Sequence, residues 1–123
     1  MLNLMQSRVN ANEPLLHRGR WVSLTFTFGI GGDDFLVDIE RGRVVSFAPR
    51  SVSTRSGRFA IRADEAVWAE HWRPFPKRDY HDIWSMLPKS LVTIDGDLVP
   101  LIQNLQYFKD VISAPREEVP HGG

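Results

Sequence analysis

The 123-residue chain sets fifteen Lys and Arg against fifteen Asp and Glu, and the resulting zero net charge argues against a protein built to wrap nucleic acid, which needs a basic excess. It has no cysteine, which removes a disulfide framework, a thiolate metal site and a cysteine nucleophile together and fits a reducing compartment. The length suits one domain with one core, no apolar run approaches the ~20 residues of a membrane span, and residues 1–8 lack the pattern of a secretory signal, so a cytoplasmic location is expected.

Residues 1–19 show no sustained period. Leu2, Met5 and Val9 share one face of a short helix that Glu13-Pro14 would end, because the residue before proline is pushed from helical angles. A short irregular or helical segment, loosely docked, is the expectation. Residues 21–28 then alternate, with Val22, Leu24, Phe26 and Phe28 opposite Ser23, Thr25 and Thr27, the period of a half-buried strand. Gly29-Ile30-Gly31-Gly32-Asp33-Asp34 supplies a turn, and Phe35, Val37 and Ile39 alternate with Leu36, Asp38 and Glu40 in a second strand. Arg41-Gly42 reverses the chain into a third strand over 43–47. Turns this short join antiparallel neighbours, so the three strands form a meander.

A Ser- and Arg-rich loop runs from Pro49 to Gly57, and residues 59–62 read as a short fourth strand. Asp64 is placed to cap a helix reaching about Trp72, stopped by Arg73-Pro74-Phe75-Pro76. Asp79 is the expected cap of another short helix through Tyr80, Ile83, Trp84 and Leu87, ended by Pro88. Residues 91–95 form a fifth strand, after which Gly96-Asp97 turns into one long helix. Its apolar face is Leu98, Leu101, Ile102, Leu105, Phe108 and Ile112, with Gln103, Asn104, Gln106 and Asp110 opposite. Pro115 ends it, and residues 115–123 are expected to be a disordered tail. The order predicts an α+β domain over residues 20–114: a five-stranded, mainly antiparallel sheet with helices packed on one face.

Chemistry-bearing residues are sparse. Gly29-Ile30-Gly31-Gly32 lacks the third glycine and following helix of a nucleotide loop and reads as a hairpin turn. Glu70, His71, Asp79, His81 and Asp82 are metal-ligand types, yet His71 and His81 stand ten apart with two prolines between, which matches no HExxH-type arrangement, and solvated helix ends are expected; no metal or cofactor is implied. Neither Ser85 nor Ser90 sits in a nucleophile turn. The zero charge hides an asymmetry, since residues 41–62 contain six Arg and no acid. Arg50, Arg55 and Arg58 are therefore candidates for an anionic surface, a lipid headgroup or a ligand phosphate. Of thirteen aromatic residues, Trp68, Trp72 and Trp84 cluster within seventeen positions, which makes either a core or a pocket wall.

The segments Phe59-Ala60-Ile61-Arg62-Ala63-Asp64, Leu36-Val37-Asp38-Ile39-Glu40-Arg41-Gly42-Arg43-Val44 and Leu91-Val92-Thr93-Ile94-Asp95-Gly96-Asp97 with the helix after it resemble the SCP-2 sterol-transfer superfamily. The likeness runs from about Trp21 to Ile112. It implies a five-stranded sheet covered by helices around an apolar tunnel for a sterol, fatty acid or acyl-CoA, with no chemistry done on the cargo. By position, the implied wall is Trp68, Trp72, Phe75, Trp84, Leu87, Leu101, Leu105, Phe108 and Ile112. The implied partners are a hydrophobic small molecule, with transient contact to an anionic membrane or a lipid-metabolising enzyme, and no nucleic acid. Two departures stand out, an N-terminal helix shrunk to an irregular 1–19 segment and a short, polar tail after Ala114; the mid-chain Trp are also bulkier than a wide tunnel favours. The alternative is a small steroid-isomerase- or hydratase-like enzyme, which requires at least two of Tyr80, His81, Asp95 and Tyr107 to meet in one pocket. A third reading is an interaction domain whose aromatics simply fill the core.

Overall fold

A computed structural model describes residues 2–50 and 57–117. Its elements are α1 (Leu2–Asn10), α2 (Glu13–Arg18), β1 (Leu24–Ile30), β2 (Asp33–Glu40), β3 (Arg43–Pro49), β4 (Phe59–Ala63), α3 (Glu65–His71), α4 (Ile83–Met86) with a 3-10 turn (Leu87–Lys89), β5 (Val92–Gly96), α5 (Val99–Gln103) and α6 (Leu105–Ser113). The strands form one sheet in the order β3-β2-β1-β4-β5. The meander is antiparallel as expected, β4 pairs antiparallel with β5, and β1 with β4 is the one parallel pairing among the described strands. The α+β class and mainly antiparallel sheet therefore hold.

Alternation places Phe26 and Phe28 of β1, Val37 and Ile39 of β2, Phe59 and Ile61 of β4 and Val92 of β5 in one core with Met5, Val9, Leu15, Trp68, Trp72, Leu101, Tyr107, Phe108, Val111 and Ile112 from the helices. The sheet's other face is also partly covered: Thr27, Leu36 and Ala60 form a buried cross-strand row. The β3–β4 connection anchors beside it, where the Gly57 amide donates to the Thr27 hydroxyl and a Cβ at Gly57 would lie 2.5 Å from Phe26 Cα. Glycine is needed there because the two backbones nearly touch.

Five details differ from the sequence reading. First, the N-terminus is docked, not loose: Met5, Val9, Leu15 and Leu16 are buried, and the Asn10 side chain both donates to Val44 O and accepts from Val44 N. Glu13-Pro14 opens α2 instead of merely closing α1, since proline suits a first helical turn and Asn12 accepts from the Leu15 amide as its cap. Second, β1 starts at Leu24, because the chain still turns where Val22 N donates to Gly19 O; Trp21 is left 83% exposed, beside Arg20. Third, Asp79 adopts a left-handed φ of 76° and caps nothing, whereas Asp82 accepts from the Trp84 and Ser85 amides at the start of α4. Asp64 occupies the cap position of α3 without a capping bond. Fourth, the long final helix is two helices broken at Asn104, whose side-chain amide and backbone N–H both donate to Pro100 O. The break leaves Ile102 59% exposed and brings Tyr107 and Val111 inside.

Fifth, the start of the expected tail is held: Arg116 donates to His71 O and His81 O, and Glu117 N to Trp72 O. Residues 118–123 of that tail lie outside the described residues.

The N-terminal helices pack through a tight joint. The buried Tyr107 hydroxyl donates to Gly42 O at 2.6 Å, and its ring covers Gly19, where a Cβ would sit 2.2 Å from Tyr107 Cε1. Overpacking of this kind costs about 1–3 kcal/mol. Gly19→Ala is accordingly expected to lower the free energy of unfolding by about that much, read from urea denaturation; an unchanged midpoint would mean that the joint is loose.

Candidate functional site

A cleft of ≈ 330 Å³ opens between the β1–β2 hairpin end and α3, lined by Ile30, Asp33, Phe35, Glu65, Trp68, Ala69 and Trp72. The α3 contribution is one helix face: Glu65, Trp68, Ala69 and Trp72 follow the i, i+3, i+4, i+7 spacing that puts side chains in a row. The Trp wall is fixed by polar bonds as well as packing. Trp68 Nε1 donates to Gly29 O at 2.8 Å, and Trp72 Nε1 to Ile112 O at 2.8 Å. The two indoles stack with centroids 5.7 Å apart, and Trp68 lies 4.8 Å from the Phe28 ring. Phe35 and Phe47 continue the aromatic surface along β2 and β3 at 5.5 Å. Ala69 is exposed between the two Trp, so α3 is thin at the position that faces the opening.

Of the nine wall residues implied by the resemblance, Trp68 and Trp72 line this cleft. Leu101, Phe108 and Ile112 are fully buried, and Phe108 fills the space below the sheet with edge-on contacts to Phe26 at 5.7 Å and Phe59 at 5.2 Å. Trp84, Leu87 and Leu105 are half-buried outside the cleft lining, and Phe75 is 74% exposed. The sequence reading missed Ile30, Asp33, Phe35, Glu65 and Ala69 as neighbours of one opening. The helical spacing of Glu65 to Trp72 carried a signal; the approach of the hairpin turn to that face did not show in the chain.

The candidate anionic surface changes character. Arg50 lies 3.7 Å from Asp34, Arg58 lies 3.4 Å from Asp97, and Arg55 falls outside the described residues. Arg62 grips Asp34 through two bonds of 3.1 and 3.2 Å and reaches Asp95 at 3.4 Å, and the Asp34 bonds raise its pKa further. The acids absent from residues 41–62 are thus supplied by β2, β5 and the residue after β5. Exposed pairs of this sort add little stability, yet they offset the charges of Arg50, Arg58 and Arg62.

The alternative acid–base set is not assembled. Tyr107 is committed to Gly42 O, with burial raising its pKa, and Asp95 pairs with Arg62. His81 is exposed, and among the described residues no hydrogen bond joins any two of Tyr80, His81, Asp95 and Tyr107. Among the described residues no group of three His, Cys, Asp or Glu is placed to hold a metal, and no helix is long and apolar enough to cross a membrane.

His71, expected at a solvated helix end, is fully buried. Its Nδ1 donates to Tyr80 O at 2.7 Å, and Ser113 Oγ donates to Nε2 at 3.2 Å, so the imidazole is held neutral between α3, α6 and the loop before α4. Glu70, one of the acids expected at solvated helix ends, accepts from the Lys77 amide and Arg73, and its pKa is lowered chiefly by the Lys77 bond.

With this geometry in place, the class is an α+β sheet-and-helix domain with an apolar cleft at one end of the sheet. No family model matches the chain, and no curated protein matches it by sequence. Solved structures do match. A crystal structure of sterol carrier protein 2 superposes with a TM-score of 0.74 at 16% identity, covering 96% of this chain and 95% of the other. A Thermus thermophilus protein described as possibly a sterol carrier protein gives 0.64 at 16% identity, covering 97% and 88%. Sterol carrier protein domain 2 of Helicoverpa armigera gives 0.61 at 10% identity, covering 95% and 87%. The chain has the SCP-2 fold.

Burial pushes the His71 imidazole down to about 4; the Tyr80 bond opposes this and the Arg116 charge adds to it. The unfolded chain takes up that proton near the ordinary pKa of 6.5, so the stabilising contribution is complete above about 6.5 and is lost as pH falls toward about 4. Lowering the pH from 7 to 5 is expected to cost the native protein about 2 kcal/mol through this group. His71→Gln should lack that component, read as a flatter dependence of the urea midpoint on pH; equal slopes would contradict the assignment.

Proposed function

We propose that this chain binds, and carries without altering, a small apolar molecule in the cleft between the β1–β2 hairpin end and α3. The observation that carries the reading is the aromatic wall of Trp68 and Trp72, held by the indole bonds to Gly29 and Ile112, beside Ile30 and Phe35 in an opening that the small Ala69 leaves clear. It is supported by the fold, which is shared with proteins described as sterol carriers. A volume of ≈ 330 Å³ is at the small end for ligand pockets, which favours a single chain or small ring system over a whole sterol. Removing ~200 Å² of ligand surface from water offers ~5 kcal/mol gross at ~25 cal/mol per Å², and a preformed wall limits the ordering cost. The titratable residues that line the cleft are Asp33 and Glu65, both exposed at its rim, and the Tyr, His and Asp set of the alternative lies outside it, which suits carriage better than catalysis.

Saturable binding of the neutral apolar dye N-phenyl-1-naphthylamine, read by its fluorescence gain, tests the reading. Ala69→Phe fills the opening from an exposed helix position and is expected to weaken binding at least about tenfold, with an unchanged unfolding midpoint. Unaltered dye affinity in a folded Ala69→Phe protein would overturn the placement.

A further inference from the structure

The cleft has two charged lining residues, and both are carboxylates. Asp33 opens β2 at the hairpin turn, and Glu65 is the first residue of α3. They border the same end, because the Glu65 side chain lies against that turn: a Cβ at Gly31 would be 3.5 Å from Glu65 Cγ. Both residues are exposed, and among the described residues neither has an ion-pair or hydrogen-bond partner for its carboxylate. The nearest arginines are drawn elsewhere. Arg62 is held by both Asp34 oxygens on the far side of β2, and Arg50 also approaches Asp34. The rim of an otherwise apolar opening therefore carries two negative charges that none of these arginines compensates.

We infer that the cleft takes an apolar molecule whose polar end is a positively charged nitrogen, and that it discriminates against carboxylate- and phosphate-bearing lipids. This rests on the cleft being the ligand site. An apolar chain lying along Trp68, Ala69 and Phe35 brings its head to the hairpin end, where Asp33 and Glu65 attract an ammonium and repel a carboxylate. At separations of about 6 Å in a largely aqueous setting each contact is weak, but two contacts that reverse sign between the two heads add up to about tenfold in affinity. Fatty acids and acyl-CoA, two of the cargoes implied by the resemblance, are then the disfavoured ones.

Three probes with one decyl chain isolate the head: decylamine, decanol and decanoate, titrated by calorimetry at pH 7, below micelle formation and at low ionic strength. The expected order is decylamine, decanol, decanoate, with about tenfold between the first and last, narrowing in high salt as exposed charges are screened. In Asp33→Asn/Glu65→Gln the ratio of decylamine to decanoate affinity should fall to about one. Decanoate binding as tightly as decylamine, or a ratio that survives the double substitution, would overturn the inference. Equal binding of all three would do so while leaving the cleft as the apolar site; binding of none would remove both.

Discussion

The hydrogen bond from Trp68 Nε1 to Gly29 O, with the indole lying on Phe28, fixes where α3 stands on the sheet. A buried indole N–H left without a partner would cost about 1–3 kcal/mol, so the helix has one favourable position along β1. The Trp72 bond to Ile112 O ties the other end of α3 to α6. Between these two anchors the helix cannot slide, and the small side chain of Ala69 faces the hairpin. The opening exists because two large rings are immobilised on either side of a small residue.

The same aromatic excess does two jobs. Phe108 against Phe26 and Phe59 is solid core, as is Tyr107. Trp68 and Trp72 belong to the same buried core, and with the half-buried Phe35 they also line the cleft at its edge. Charge is arranged in a similar way. Arg50, Arg58 and Arg62 meet Asp34, Asp95 and Asp97, while among the described residues the carboxylates at the cleft mouth take no part in that pairing.

Much of the fold was legible because it is written locally. Period-two alternation in β1 and β2, the Arg41-Gly42 reversal and the apolar spacing of α3 each depend on neighbours within one turn or one hairpin. What escaped depends on finer geometry or on distant partners. Asn104 breaks the last helix through its own bonds to Pro100 O, although its spacing fits a continuous helix. Asp79 and Asp82 look alike as caps until the left-handed φ of Asp79 separates them. His71 is buried by Tyr80 O and Ser113, nine and forty-two positions away. For the site, Trp68 and Trp72 were visible as a cluster, but no local pattern joins them to Asp33 and Phe35 across the sheet. The SCP-2 resemblance anticipated the fold that the structural matches bear out; the wall it implied joined the mid-chain Trp to the last helix, and of these Trp68 and Trp72 line the cleft while Phe108 packs on Phe26 and Phe59.

Entry of apolar molecules at Trp68 and Trp72, and not beneath α6, is the proposal on which the rest turns. Fluorine NMR of protein carrying 5-fluorotryptophan, titrated with decanol, addresses it directly because the four indoles occupy separate places: Trp21 is exposed and Trp84 is half-buried outside the cleft lining. Binding in the cleft should give saturable shifts of the Trp68 and Trp72 resonances with Trp21 and Trp84 unmoved; a response confined to Trp84, or none at all in a folded sample, would contradict it.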